Sequence, residues 1–459
     1  MIDRRKFLAG SLSALGAGAG FATNLASLNA FAQAAPDYKA LVCVFLYGGL
    51  DGHDTILPYD VPSNTQYEAI RAPLLSMYDS FSPRTRNNLI KIGAISDGRE
   101  FAMPRELTEL SELYSRGKLA VVGNLGPLIE PINRIQFRDR SALRPKQLFS
   151  HNSQQSTWMT SQPTGSNPGW GGKFGDILAA AGENVDASFT TVSLDRDAAF
   201  LRGMSTTPFI MTKDGPRTVN ALNRPNLGSA DFGDIYERVL RDSAVRRANV
   251  FENDFVDVMK SSLDSNETMN SLLEAPGDPI TVFPSTKLGS ELQMISKVLA
   301  RRNQIGAKRQ IFFVPVDGFD THSQQPEKLA RRQNELSVAL SAFYSSLEEL
   351  GLENQVTTFT GSDFGRALGV NGDGTDHGWG GHHFVLGGAV KGGQILGDIP
   401  VSEFGHDLDS GRGRLIPQLS VDQYASALGR WFGLSDSDLD EVMPGLSNFD
   451  RGALSSLFL

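Results

Sequence analysis

Four uninterrupted runs of β-branched, leucine and aromatic residues constrain the fold of this chain more than any other feature. They are Lys39–Gly49 (KALVCVFLYGG), Leu119–Asn124 (LAVVGN), Gln310–Val316 (QIFFVPV) and Gln355–Thr360 (QVTTFT). Runs without polar alternation belong to strands buried on both faces, as in a parallel or mixed sheet covered by helices. Helical patterns lie between them: Pro104–Gly117, Lys287–Arg302, Pro326–Leu350 and Val421–Phe432, with another helix starting near Gly171. Shorter strands are expected at Phe189–Leu194, Phe384–Leu386 and Gln394–Leu396. This alternation predicts a three-layer α/β sandwich around a mostly parallel sheet, as one domain over residues 38–459. Residues 196–290 read as a helical insertion over the sheet, with a charged amphipathic helix at about Phe232–Leu263 and a polar link, Asp264–Pro284.

Each apolar run hands over to a polar motif. In open α/β sheets, functional groups gather beyond the carboxyl ends of the strands. The first run leads to Asp51, His53, Asp54 and Thr55. The second precedes LFSHNSQQST, which carries His151, Ser153 and Thr157. The third ends in Asp317-Gly-Phe-Asp320-Thr-His322, where a spacing of two can aim Asp320 and His322 at one ion. The fourth feeds Thr360–His383, a stretch with three histidines (His377, His382, His383), three acids (Asp363, Asp373, Asp376) and eight glycines. Of the seven histidines, all but His406 fall in these four segments. Imidazole and oxygen donors on glycine-rich backbone suit a divalent cation. The competing reading of the last stretch is a solvated, glycine-rich loop.

Individual residues carry paired readings. Ser153 is either a nucleophile at a helix N-terminus or an N-cap. Arg366 either grips a phosphate or sulfate oxyanion with its planar fork or is a surface arginine. His53 and Asp54 are expected behind the ligands rather than among them. If the backbone is extended at His382 and His383, they face opposite ways, and at most one reaches an ion.

The net charge is −9, and no dense basic run occurs beyond the first six residues, which argues against a nucleic-acid partner. Those first residues, MIDRRKFLAG, precede a weakly apolar stretch to Ala32, which together resemble a cleavable twin-arginine export signal. The stretch is too polar for a permanent membrane anchor. The translocase is then a partner during export, and the location is periplasmic or secreted. The lone cysteine, Cys43, lies inside an apolar run, which excludes an internal disulfide and a cysteine-rich zinc site.

Taken together, FLYGGLDGHDT, LAVVGNLG, LFSHN, GWGGKFGDIL, GFDTH, GSDFGR and GTDHGWGGHHFVLGGAVKGG resemble the exported bacterial proteins grouped as domain of unknown function 1501. That family is placed in the alkaline phosphatase and sulfatase superfamily. The resemblance covers nearly the whole chain after the signal, with Asp51, His151, Asp320/His322, Asp363 and Asp376/His377 lined up. It implies a phosphate- or sulfate-ester hydrolase with one or two divalent cations (Zn, Mn, Ca or Mg). By that resemblance Asp51 binds metal, Ser153 is the nearest match to a nucleophile, and Asp320/His322 resemble a ligand pair. Asp363 matches the aspartate of a Thr-x-Asp-His motif, but Phe364 stands where its histidine would be. His377 or His382 would supply a late imidazole. The expected substrate is a small-molecule or glycan ester. The alternative is a non-catalytic, metal-, partner- or glycan-binding descendant of the fold in the cell envelope.

Overall fold

The computed structural model describes residues 38–162, 168–217 and 249–459. The expected signal segment and residues 232–248 of the expected amphipathic helix lie outside these. In chain order the strands are β1 (Lys39–Leu46), β2 (Leu57–Pro58), β3 (Ile90–Ala94), β4 (Glu100–Met103) and β5 (Leu119–Gly126). Next come β6 (Thr191–Leu194), β7 (Phe209–Thr212), β8 (Gly215–Pro216), β9 (Arg309–Val316) and β10 (Val356–Ser362). The last are β11 (Arg366–Asn371), β12 (Gly374–His377), β13 (Gly381–Leu386), β14 (Ile395–Leu396) and β15 (Leu419–Ser420).

The main sheet runs β14-β5-β13-β10-β1-β9-β6-β7-β8, with β15 also on β5. Strand β1 pairs in parallel with both β10 and β9. Antiparallel pairing enters at β13, which separates β10 from β5, and at the β8 edge. The sheet is therefore mixed but mostly parallel.

The uninterrupted apolar runs are explained by burial on both sides. Along β1, Ala40, Val42, Val44 and Leu46 pack on one face with helices Lys287–Ala300 and Gln325–Glu349. Leu41, Cys43 and Phe45 pack on the other with helices Trp170–Ala180 and Val421–Phe432. A side-chain period of two sends alternate residues to opposite layers, so both sets must be apolar. This is the three-layer α/β sandwich. Cys43 is fully buried, and burial pushes its thiol pKa well above the ordinary value. Helix Val421–Phe432 starts at a Ser420/Gln423 capping box and stops at Gly433, whose φ of 115° suits glycine.

Residues 196–290 differ from the expected helical insertion. Phe209–Thr212 and Gly215–Pro216 extend the main sheet, and the described helix Val250–Glu274 covers the later part of Phe232–Leu263 and runs on into the expected polar link Asp264–Pro284. Short apolar strands at a sheet edge carry little periodic signal, so the flanking charge hid them.

Candidate metal centre

Four segments converge at the carboxyl edge of the sheet. β1 leaves through Gly48 and Gly49, β9 continues to His322, β10 hands on Asp363, and helix His151–Thr160 contributes its first turn. Gly48 has φ 115°, and a Cβ there would lie 2.2 Å from the backbone nitrogen of Asp320. Only glycine lets the exit of β1 press this close to the exit of β9.

Asp320 stands in the middle. Its Oδ1 is 3.2 Å from His322 Nε2 and 3.3 Å from His377 Nε2, and its Oδ2 is 3.5 Å from His151 Nε2. The two Nε2 atoms of His322 and His377 are 2.7 Å apart. His151, Asp320 and His377 each present a ligand atom, all within 4.8 Å of one another.

Two of the rings are held from behind. His151 Nδ1 lies 2.6 Å from Asp363 Oδ2, and His377 Nδ1 lies 2.7 Å from the Phe149 carbonyl oxygen. Each oxygen accepts a hydrogen bond from Nδ1–H and leaves the Nε2 lone pair aimed at Asp320. Several acceptors this close repel one another unless a cation sits among them or an imidazole takes up a proton. Backed imidazoles around a carboxylate are a donor set that fits a borderline divalent cation.

The charges support that arrangement. Burial alone would raise the Asp320 carboxyl, but the Arg366 hydrogen bond and charge outweigh it and hold the pKa below the ordinary value. The Asp363 hydrogen bond raises His151 against the opposing effect of burial. Burial lowers His377, more than its bond to the Phe149 carbonyl restores.

Phe364 forms an apolar wall. It is 2% exposed, with its ring centroid 4.9 Å from that of His151 and 4.5 Å from that of His377. The side chain that stands where the resemblance would place a histidine thus packs against two imidazoles.

The structure assigns other places to several residues expected at the ion. Asp363 sits behind His151, not beside Asp320. Its Oδ2 also accepts from Gln155 Nε2 at 2.8 Å and from the Gly48 amide at 3.2 Å. Its Oδ1 is buried with no hydrogen-bond partner among the described residues. Asp51 is fully buried, and its two oxygens accept from Arg71 at 2.8 and 3.2 Å, with Gln325 Nε2 at 2.7 Å. Burial would raise its pKa, but Arg71 more than offsets this and lowers it. Asp51 is therefore one half of a buried ion pair, not a ligand facing Asp320. Asp376 accepts from Asn371 at 2.8 Å and pairs with Arg412 at 2.8 Å, away from the three convergent atoms.

His382 points inward, with Nδ1 accepting from the Asn124 amide at 3.0 Å, and burial depresses its pKa to about 4. His383 is buried too, beside Thr360, so neither of the pair joins the cluster. Asp54 is bonded by Tyr67 and Tyr78 and lies 3.4 Å from Arg84, so it does not back a ligand.

Arg366 lies in β11 and is 1% exposed. Its guanidinium donates to Asp320 Oδ1 at 2.8 Å, the Gly48 carbonyl at 3.1 Å and the Thr375 hydroxyl at 3.2 Å, and also to the Thr375 carbonyl. That makes it a positioning residue for Asp320 rather than an oxyanion clamp. Ser153 is the third residue of its helix, whose N-cap is Ser150. His151 and Gln155, four apart, share the face toward Asp363, while Ser153 turns off it and donates to Gln147 at 2.5 Å. It is neither cap nor cluster-facing nucleophile. Gln155 is the contributor overlooked in the sequence, although its i+4 spacing from His151 was available as a signal.

The fold and site define a class: a mostly parallel α/β sandwich with an imidazole–carboxylate cluster at its carboxyl edge. The chain belongs to the DUF1501 family, described as a protein of unknown function, whose model matches residues 133–443. No curated protein matches the sequence. Among solved structures, the zinc complex of the C-terminal periplasmic domain of EptC from Escherichia coli is 9% identical, covers 87% of this chain and 83% of its own, and has a TM-score of 0.34. The PsFucS1 sulfatase from Pseudoalteromonas sp. gives 8%, 87%, 68% and 0.36, and a mutant of the alkaline phosphatase PafA gives 13%, 73%, 64% and 0.26. At such scores these likenesses decide nothing about the chemistry of this chain.

Proposed function

We propose that the protein is an exported hydrolase of phosphate or sulfate esters that uses a divalent cation held by His151, Asp320 and His377, with His322 as a further donor. The observation that carries this reading is the pair of imidazoles fixed from behind, by Asp363 and by the Phe149 carbonyl, so that both Nε2 atoms face Asp320. The resemblance to the alkaline phosphatase and sulfatase superfamily supports the ester class. The Arg4-Arg5 signal supports export by the twin-arginine pathway to a periplasmic or secreted location. Among the described residues, no helix is long and apolar enough to cross a membrane.

A cation there supplies electrophilic polarisation of the ester and a nucleophile from water at neutral pH. The protein's own groups do the positioning. Arg366 keeps Asp320 ionised and in place, Asp363 and Phe149 set the imidazole tautomers, and Phe364 keeps the rings from turning. The imidazole-rich set favours Zn²⁺ or Mn²⁺ over Ca²⁺ or Mg²⁺.

The test is metal analysis of purified protein, followed by chelation and re-addition while turnover of an aryl phosphate and an aryl sulfate is measured. The expected result is about one equivalent of metal per chain and activity that metal restores. Metal-free protein that neither binds an added cation nor cleaves either ester would defeat the proposal. A second reading, a non-catalytic binder of an envelope partner or glycan, is favoured by Ser153 facing away from the cluster and by Phe364. Full biological function in an Asp363→Ala, His377→Ala double variant would support that reading over the first.

A further inference from the structure

Beside the cluster lies a hollow of about 530 Å³, whose lining includes Phe137, Arg144, Lys146, Gln147 and Phe149. It is tied directly to the site. The Phe149 carbonyl accepts from His377, and the Gln147 side chain accepts from Ser153, two residues after His151.

The segment that forms it is basic. Arg134, Arg138, Arg140, Arg144 and Lys146 fall within 13 residues that hold one acid, Asp139, in a chain of net charge −9. Because other residues separate the charges, no contiguous run marks them. Arg144 lies over the Phe137 ring at 4.7 Å and donates to the Phe137 carbonyl at 3.0 Å. Its guanidinium is held in place, so binding an anion costs little side-chain entropy. Lys146 is exposed and has no partner among the described residues.

The backbone here is also strained. Arg140, Gln147 and Phe149 have φ of 58°, 52° and 69°, in the left-handed region that non-glycine residues rarely adopt. Such strain persists only where surrounding contacts over-determine it. Arg414 provides such contacts, lying 4.8 Å from the Phe149 ring centroid while donating to the His377 carbonyl at 2.8 Å. One arginine thus braces both the wall of the hollow and a candidate ligand.

We infer that the hollow is an anion subsite for an ester substrate whose scissile group lies at the metal centre, and that the substrate is a short polyanion with more than one sulfate or phosphate. This rests on the proposed hydrolase reading and narrows its substrate class. Overall negative charge repels a long polyanion beyond the basic patch, which favours a short chain over nucleic acid.

The experiment is calorimetric titration of the full chain with sulfated, phosphorylated and unmodified maltotetraose, at low and moderate salt. The charged sugars should bind, more weakly as salt rises, and the neutral one should not. Lys146→Glu and Arg144→Gln should each weaken binding by about tenfold or more. Lys146 is exposed and has no partner among the described residues, so its variant should melt as the wild type does, and that separates lost binding from lost folding. The tighter of the two charged sugars identifies the ester. Chelated protein that still binds in a Lys146-dependent way, with no aryl ester ever turned over, would sink the hydrolase reading and leave the anion subsite standing. Wild-type affinity in both variants, or tighter binding of a short oligodeoxynucleotide than of either charged sugar, would overturn the inference.

Discussion

Two polar clusters lie at the same edge of the sheet and use carboxylates to opposite ends. Around Asp51 and Asp54, each carboxylate meets an arginine, and both side chains are fully buried. Around Asp320, Arg366 donates to Oδ1 beside the Nε2 atoms of His322 and His377, only His151 Nε2 stands near Oδ2, and the carboxylate is 45% exposed. A carboxylate at a strand end becomes available to an ion only where its lone pairs are not already filled by donors and a path to solvent remains. Asp51 meets neither condition, and Asp320 meets both.

That contrast can be broken at its strongest point. Arg71→Ala leaves Asp51 as a buried charge without its partner and should destabilise the protein by about 3–5 kcal/mol in urea unfolding, with metal binding by the folded fraction unchanged. Loss of metal from protein that is still folded would erase the distinction between the clusters. His377→Ala should do the reverse. It should weaken metal affinity more than about 100-fold, beyond what a supporting residue costs, while stability without metal changes by about 1 kcal/mol, measured by competition titration and urea unfolding.

The pH dependence of stability sharpens the comparison. Burial holds His382 at about 4 and His53 at about 3, below the unfolded imidazole value. The unfolded chain therefore takes up protons first. Stability should be level above about pH 6.5 and fall by about 1.4 kcal/mol per unit and per histidine as pH drops from there toward 4. His382→Gln should flatten that slope; a slope identical to wild type would contradict its burial in the neutral form. Asp363→Asn should cost about 10–100-fold in metal affinity, the range for a group that orients a ligand. A loss as large as that of His377→Ala would make Asp363 a ligand itself. The smallest effect belongs to Ser153→Ala, which should leave ester turnover unchanged and stability within about 0.5 kcal/mol. A loss of turnover there would restore it as the nucleophile.

Much of the architecture was legible because burial on both faces leaves an unmistakable apolar run. β1, β5, β9 and β10 follow from such runs, and helix Val421–Phe432 follows from its amphipathic pattern, capping box and terminal glycine. The edge strands β7 and β8 did not, being too short for any period to register. At the site, the gathering of His151, Asp320, His322 and His377 was readable from polar motifs that follow apolar runs, although the same motifs pointed equally to Asp51, Asp363, Asp376 and His382. The role of Asp363 was not, because whether a carboxylate faces an ion or backs an imidazole depends on a helix more than two hundred residues away.

The sequence by itself determined the sandwich, the edge at which the polar motifs gather and the residue types found there, since periodicity and strand-end motifs are local properties. Only the tertiary structure decided which carboxylate Arg71 neutralises, which way His382 turns and what stands behind each imidazole. Those outcomes depend on partners brought together across the fold, and a charge or a lone pair acts only over the few ångströms that separate it from such a partner.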